Sequence, residues 1–356
     1  MSTIEAESKA TASPDYVRTS LAAAMVLGLA PGRFYRDVRL HCINLLLTYP
    51  DGCRANCAYC GLARARPGSY DDKSFIRVDW PTLSTDLVVE RMARYRSDVK
   101  RICLSMVTHP YAYQDSLEVI RRIRERVDAP ISALIAPNLF DRARLEELHA
   151  LDVSNIGIGL DAAGERVFGR TRGRGIGGPL SWSQYWDVVE AARAIYGPYR
   201  VNCHLVVGIG ETDREITDII FRLKERQVAA YLFCFYPEAD SSMARRQRPP
   251  LVRYRRVQLA KHLIEHNGLQ PGQIRYNSKE RIVALDAPPD VLERAIAGGI
   301  PFMTDGCPGE DGLLACTRPF GSYRPGEPFR DYPFRPEPDD TARIRKELRL
   351  PDLGQA

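Results

Sequence analysis

Short apolar runs alternate with helix-spaced patterns along most of the chain, and this alternation is what most limits the possible folds. Strand candidates lie at 40–47, 101–107, 131–136, 155–160, 200–207 and 229–236, with weaker ones near 273–277 and 300–303. Between them, Leu117, Ile120, Ile123 and Val127 keep helical spacing, as do Trp186, Val189 and Ala192. Thr212 and Glu215 form a capping-box pair ahead of Ile216, Ile219, Ile220 and Leu223. Repeated strand–helix units imply a parallel sheet with crossover helices. The expected class is α/β, a full or partial TIM-type (β/α) barrel of roughly six to eight units. A doubly wound open sheet is the alternative.

The flanks are expected to differ. Residues 1–14 read as a disordered lead-in, 15–304 as the barrel, and 305–356 as an irregular, cysteine-containing C-terminal extension. An amphipathic helix is expected over 16–29, stopped by Pro31-Gly32, and a short charged helix over 341–350. The extension has no periodicity, yet Phe320, Tyr323, Phe329, Tyr332 and Phe334 give it enough apolar surface to pack. The net charge of +5 over 356 residues is mild and argues for no nucleic-acid partner. No apolar run is long enough for a membrane span, and no signal-peptide core is present, so a cytoplasmic location is expected.

Cysteines carry the chemistry. Cys53, Cys57 and Cys60 follow the first strand candidate in a loop with Pro50 and Gly52. Three thiolates at this spacing can each hold one iron of a cubane and leave a fourth iron open. A structural zinc site would want a fourth Cys or His nearby, and none follows in the next stretch of sequence. This spacing, with Tyr59 before the last cysteine, resembles the radical S-adenosylmethionine (SAM) superfamily. The resemblance implies a 4Fe–4S cluster whose open iron binds SAM.

It also implies further SAM contacts. Gly208, Gly210 and Glu211, in Val207-Gly-Ile-Gly-Glu-Thr212, look like the Gly-x-Gly-Glu turn of biotin and lipoyl synthases. Asp161 matches a position that contacts the SAM ribose in biotin synthase-like enzymes. The Gly-Gly-Glu-Pro-like motif of many relatives is missing after the second strand, so the SAM amine contact falls to Ser105 or to backbone carbonyls.

Cys307 and Cys316 flank a Gly-rich segment and suit a second metal centre. Biotin synthase itself is a poor match. Cys103 fits one ligand position and Arg275 is a candidate for the arginine. On the strand before Gly208, however, parity places Asn202 rather than Cys203 inward. The sequences around Cys307, Cys316, Arg324-Pro-Gly326 and Tyr332-Pro-Phe334 instead resemble the two-component lipoyl synthases. That resemblance implies sulfur insertion into a protein-bound octanoyl chain, with an auxiliary 4Fe–4S cluster as sulfur donor. Cys307 and Cys316 would be two of its ligands, and Cys42 and Cys103 the internal candidates to complete the set. Ser322 is a weaker candidate. The implied partners are a second radical SAM subunit, an octanoylated carrier protein or peptide, and a reductant such as ferredoxin or flavodoxin. The alternative is a biotin synthase-like isomerase or ring-forming enzyme whose second cluster donates no sulfur.

Several residues are expected to be ordinary. Tyr231, Phe233, Phe235 and Tyr236 read as core before cavity lining. Arg170, Arg172 and Arg174 read as a solvated charge run, with docking of an acidic carrier the other possibility. His204 has no ligand spacing.

Overall fold

A computed structural model describes residues 11–349 apart from 37, 71, 75 and 325. Its centre is a run of parallel strands, β2 (Cys42–Leu47), β4 (Arg101–Ser105), β5 (Ile131–Ile135), β6 (Val153–Asp161), β7 (Val201–Val207) and β8 (Ala229–Cys234). Two short strands, β1 (Tyr16–Thr19) and β3 (Thr82–Ser84), extend the β2 edge antiparallel, giving an eight-stranded sheet ordered β3-β1-β2-β4-β5-β6-β7-β8. The ends of this order do not pair, so the barrel is partial.

Helices α1 (Leu21–Val26), α2 (Thr85–Arg94), α3 (Ala112–Arg124), α4 (Arg142–Ala150), α5 (Glu165–Thr171), α6 (Trp182–Tyr196), α7 (Asp213–Glu225) and α8 (Leu251–Asn267) accompany the sheet. The Thr212–Glu215 capping box opens α7 with both reciprocal bonds formed. Core strands are buried on both faces, as parallel sheets require. Side chains pointing one way pack under helices, and their neighbours in sequence point into the barrel.

The flanks depart from the sequence reading. In place of a helix over 16–29, Tyr16–Thr19 pairs with β2, and α1 starts only after Ser20, whose Oγ accepts from the Ala23 N–H at 3.2 Å. Aromatic and β-branched residues beside an open sheet edge favour the strand. The ordered chain also begins before residue 15, because the Thr48 N–H donates to Ser13 Oγ at 3.0 Å and the Thr85 hydroxyl donates to the Pro14 carbonyl at 2.6 Å. Residues 1–10 and 350–356, on which the rest of the expected lead-in and the last position of the expected terminal helix fall, lie outside the described residues.

The weak strand near 273–277 exists, but as one arm of a separate antiparallel pair, β9 (Ile274–Tyr276) with β10 (Ile282–Leu285). The segment near 300–303 is a single 3-10 turn, Ile300–Phe302, after α9 (Pro289–Gly298), because Pro301 removes a donor that a strand would need. The terminal helix is α10 (Pro338–Leu348).

The extension decides the shape of the interior. It first caps the N-terminal ends of the strands: the Arg101 guanidinium donates to the Pro308 carbonyl, the His41 N–H bonds the Ala315 carbonyl at 3.2 Å, and Thr317 Oγ1 donates to Arg39 O at 2.9 Å. It then fills the gap between β8 and the β1–β3 side. Arg318 lies 4.2 Å over the Phe233 ring, and Arg324 donates to the Ile76 carbonyl at 3.0 Å. The tail aromatics Tyr323, Phe329, Tyr332 and Phe334 pack on one another against α8 and α10.

Two cysteine sets in one barrel interior

Cys53, Cys57 and Cys60 sit just past the C-terminal end of β2 and line a cavity of about 790 Å³. Tyr59, Ser105, Met106, Thr108, Gly159, Asp161, Arg172 and His204 share its wall. Burial and neighbouring thiols push the Cys53 and Cys60 thiols upward, so binding of a metal must displace protons there. Tyr59 donates to Asp161 Oδ2 at 2.5 Å, and the Arg172 guanidinium lies 3.4 Å from the same oxygen. Asp161 takes a left-handed backbone (φ +58°) at the end of β6, which turns its carboxylate inward.

Arg172 is buried beneath this carboxylate and not in a solvated run. It donates to the carbonyls of Gly159 and Leu160, the latter at 3.1 Å, and to Tyr185 at 3.2 Å. Burial opposes its charge, but Tyr185, Tyr59 and Asp161 together outweigh it and keep Arg172 protonated.

Gly208, Gly210 and Glu211 close β7 and do not line this cavity. Both glycines have positive φ, +117° and +133°, and a Cβ on Gly208 would meet Pro249 Cδ at 2.8 Å. Glu211 is fully committed to the turn. Its carboxylate accepts the N–H groups of Gly208, Ile209 and Gly210 at 2.7, 2.9 and 2.9 Å, and Arg253 at 2.6 Å. Its oxygens have no capacity left for a ligand, so Glu211 fixes the backbone of the turn.

A second cavity, about 850 Å³, lies deeper in the barrel. Cys103, Cys307 and Cys316 line it with Asn44, Ser105, Ser132, Asn202, His204, Tyr231, Phe233 and Arg318. Cys42 is buried at the same end, close enough for its thiol to donate to Cys316. That hydrogen bond, helped by Arg318 and Asn44 and opposed by burial, brings the Cys316 thiol down to about 6. Burial and the charges of Cys316 and Cys307 push Cys103 up, and burial and Cys316 do the same to Cys307. Four thiols on two strands and the tail therefore sense one another. Among the described residues no group of three His, Cys, Asp or Glu side chains is arranged to hold a single metal ion. Thiols set apart around a cavity suit the separated irons of a cluster, each with its own ligand.

The cavities meet. Ser105 and Leu134 line both, and His204 lines both and also a third, apolar arm of about 690 Å³. That arm is walled by Ile76, Val206, Phe233, Cys234, Phe235 and Tyr236 beside Cys60. Tyr231 and Phe233 of β8, and Tyr236 just past it, thus line cavities, while Phe235 is both lining and core. Burial, with Arg318 and Arg172 nearby, drives His204 down to about 3, so its ring is neutral at physiological pH.

Asn202 faces the interior while Cys203 is wholly buried on the other face, as parity requires. The same parity carries His204 inward, a signal present in the sequence. Arg275 lies on β9 and pairs with Asp286 at 3.3 Å, away from both cavities, because β9 belongs to a separate sheet. Ser322 lines neither cavity.

Residues 47–223 match the family model of the radical SAM superfamily. The chain carries a radical SAM domain. Proteins of this family use a 4Fe–4S cluster and SAM, and three thiols lining one cavity are the donor type that such a cluster takes. No curated protein sequence matches the chain. Among solved structures, the [FeFe]-hydrogenase maturase HydG from Carboxydothermus hydrogenoformans is similar with TM-score 0.48 and 18% identity, over 68% of this chain and 59% of that one. The radical SAM methyltransferase TsrM from Kitasatospora setae gives 0.40 and 15%, over 79% and 49%. Coproporphyrinogen III oxidase (HemN) from Escherichia coli gives 0.38 and 16%, over 60% and 49%. The chain thus spans less than two thirds of each of these relatives. The lipoyl synthase reading draws nothing from them. Among the described residues no helix is long and apolar enough to cross a membrane.

Proposed function

We propose that this radical SAM protein inserts sulfur into a protein-bound octanoyl chain, as a subunit of a two-component lipoyl synthase. The triad would hold the SAM-binding cluster, and Cys42, Cys103, Cys307 and Cys316 the auxiliary one. The supporting observation is that both cysteine sets open onto one barrel interior and meet at His204.

When bound at the triad, the cluster and SAM supply a carbon-centred radical. The chain's own residues do the rest. Asp161, held by Tyr59 and Arg172, offers a carboxylate to vicinal hydroxyls. The Gly208–Glu211 turn lets backbone approach the nucleoside. The apolar arm along Val206, Phe233, Phe235 and Tyr236 suits an acyl chain. The tail closes the barrel gap and keeps water from the reacting carbons.

The polar side chains set into the deeper cavity's wall, Asn44, Ser132, Asn202 and Arg318, favour the second reading, in which a polar substrate is rearranged or cyclised and no sulfur moves. One experiment separates the two. An octanoylated carrier peptide is incubated anaerobically with the protein, SAM, reductant and a candidate second subunit, then weighed by mass spectrometry. Sulfur in the peptide supports insertion. 5′-Deoxyadenosine without sulfur in the peptide removes it and leaves the second reading.

A further inference from the structure

The two cysteine sets differ in what surrounds their sulfurs. Around the triad, Cys60 accepts the backbone N–H of Leu62 at 3.4 Å, and Cys53 faces backbone N–H groups and the Thr108 hydroxyl. The two cations nearby are committed elsewhere: Arg172 to Asp161 and two carbonyls, Lys73 to the Ala63 carbonyl at 3.2 Å. Among the described residues no carboxamide hydrogen-bonds these sulfurs.

Around the tail set, side chains point N–H and O–H groups at the sulfurs. Asn44 Nδ2 lies 3.6 Å from Cys316 Sγ and 3.7 Å from Cys42 Sγ. Asn202 Nδ2 is 3.8 Å and the Tyr231 hydroxyl 3.9 Å from Cys307 Sγ. The Ser105 hydroxyl faces Cys103, and Ser132 faces Cys307. Two further cations, Arg101 and Arg318, lie at this end of the barrel. Asn44 and Asn202 sit on rigid strands, where a carboxamide serves no packing purpose that leucine would not serve better.

We infer that Asn44, Asn202 and Tyr231 are positioning residues that hold a cluster on the tail cysteines at a higher reduction potential than the cluster on the triad. The inference rests on the proposed second cluster. Reduction adds negative charge that is shared onto the thiolate sulfurs. Donors aimed at those sulfurs stabilise the reduced form more than the oxidised one, and hydrogen bonds to sulfur are among the known controls of cluster potential. The barrel thus holds a strongly reducing site at the C-terminal ends of its strands and an electron-accepting site at the other.

The test is an anaerobic redox titration followed by electron paramagnetic resonance. A full-length variant with Cys53, Cys57 and Cys60 all changed to Ala isolates the tail cluster. In it, Asn44→Leu, Asn202→Leu and Tyr231→Phe each lower the midpoint. The ratio of reduced to oxidised cluster falls roughly tenfold at fixed potential for each donor lost, about 59 mV for one electron. Val78→Ala, in the same wall with nothing to donate, leaves the midpoint unchanged. Midpoints unmoved in the donor variants, with iron still bound, overturn the inference and spare the second cluster. A folded triple variant without iron overturns the second cluster and the inference together. If the triple variant does not fold, the same substitutions are titrated in the unaltered chain, where the signal insensitive to added SAM belongs to the tail cluster. An unchanged midpoint for that signal again overturns the inference.

Discussion

The triad and the tail set are built by different means. The triad is a loop feature: its three cysteines fall within a single turn-rich segment, and local spacing alone brings them together. The tail set is a feature of the fold. Asn44 and Cys316 are 272 positions apart, and only the barrel register and the path of the extension make them neighbours. A loop can be copied between proteins as a unit. A set assembled from β2, β4 and the tail cannot, and its sulfurs come with the fixed surroundings of barrel walls.

The first way to break this comparison is to remove the triad. Cys53→Ala, Cys57→Ala or Cys60→Ala should each reduce SAM cleavage to background, since on the proposed assignment each thiolate would hold its own iron and, among the described residues, no further thiol lines that cavity. The readout is 5′-deoxyadenosine formed under dithionite. Wild-type yield from all three variants would sink the assignment of the triad.

The second removes the other member. The Cys307→Ala/Cys316→Ala double variant should still make 5′-deoxyadenosine but give no sulfur-containing peptide. Iron should fall by about four per chain, the content of one cubane. The triad lies at the opposite strand ends and keeps all its contacts, which is why cleavage survives. Loss of cleavage and thiolation together would mean that the tail only shapes the barrel. Full thiolation with unchanged iron would dissolve the second site.

These two sites also show what was legible in the sequence. The strand–helix alternation located every strand of the parallel core to within a few residues, because hydrophobic periodicity is a local signal. The triad was legible for the same reason. Parity on β7 correctly separated Asn202 from Cys203, and it would have found His204 had it been carried two residues further. Arg172 was not legible. Its role depends on α5 folding back under Asp161, and a run of arginines between glycines looks the same whether solvated or buried. β1 was missed because pairing with an exposed sheet edge overrode a helix-like pattern. The carboxamides facing the tail sulfurs have no sequence signature, since they matter only once the extension is in place.

A third prediction sharpens the comparison through stability. Glu211→Gln removes the charge that neutralises buried Arg253 and weakens the acceptor for three N–H groups. Arg253 keeps Asp213 at 2.6 Å, so the cost should be near the lower end for a broken buried pair, about 3 kcal/mol. Denaturant midpoints measure it. Because the turn closes β7 at the strand end that carries the triad, away from the tail cysteines, SAM affinity should fall while any iron on the proposed tail site stays constant. Equal loss of both would mean that the two ends of the barrel are not independent.

The smallest effect concerns the place where the two regions meet. His204 has its ring 4.8 Å from Phe233 and lines all three arms of the interior. Burial first, then Arg318 and Arg172, hold its folded pKa near 3, against 6.5 in the unfolded chain. A base whose folded pKa is depressed contributes stability that is fully present above the unfolded value. As pH falls below 6.5 the unfolded state takes up a proton that the folded state refuses, and the contribution shrinks until pH reaches the folded value. Between pH 7 and pH 5 the loss from this one group is about 2 kcal/mol at most. His204→Gln keeps a neutral polar side chain and cannot titrate. Its denaturant midpoint, measured anaerobically on the loaded protein, should therefore change less between pH 7 and pH 5 than that of the unaltered chain. If the two proteins lose stability in parallel, His204 is protonated in the folded state. The junction then admits water, and the water exclusion proposed for the barrel interior fails with it.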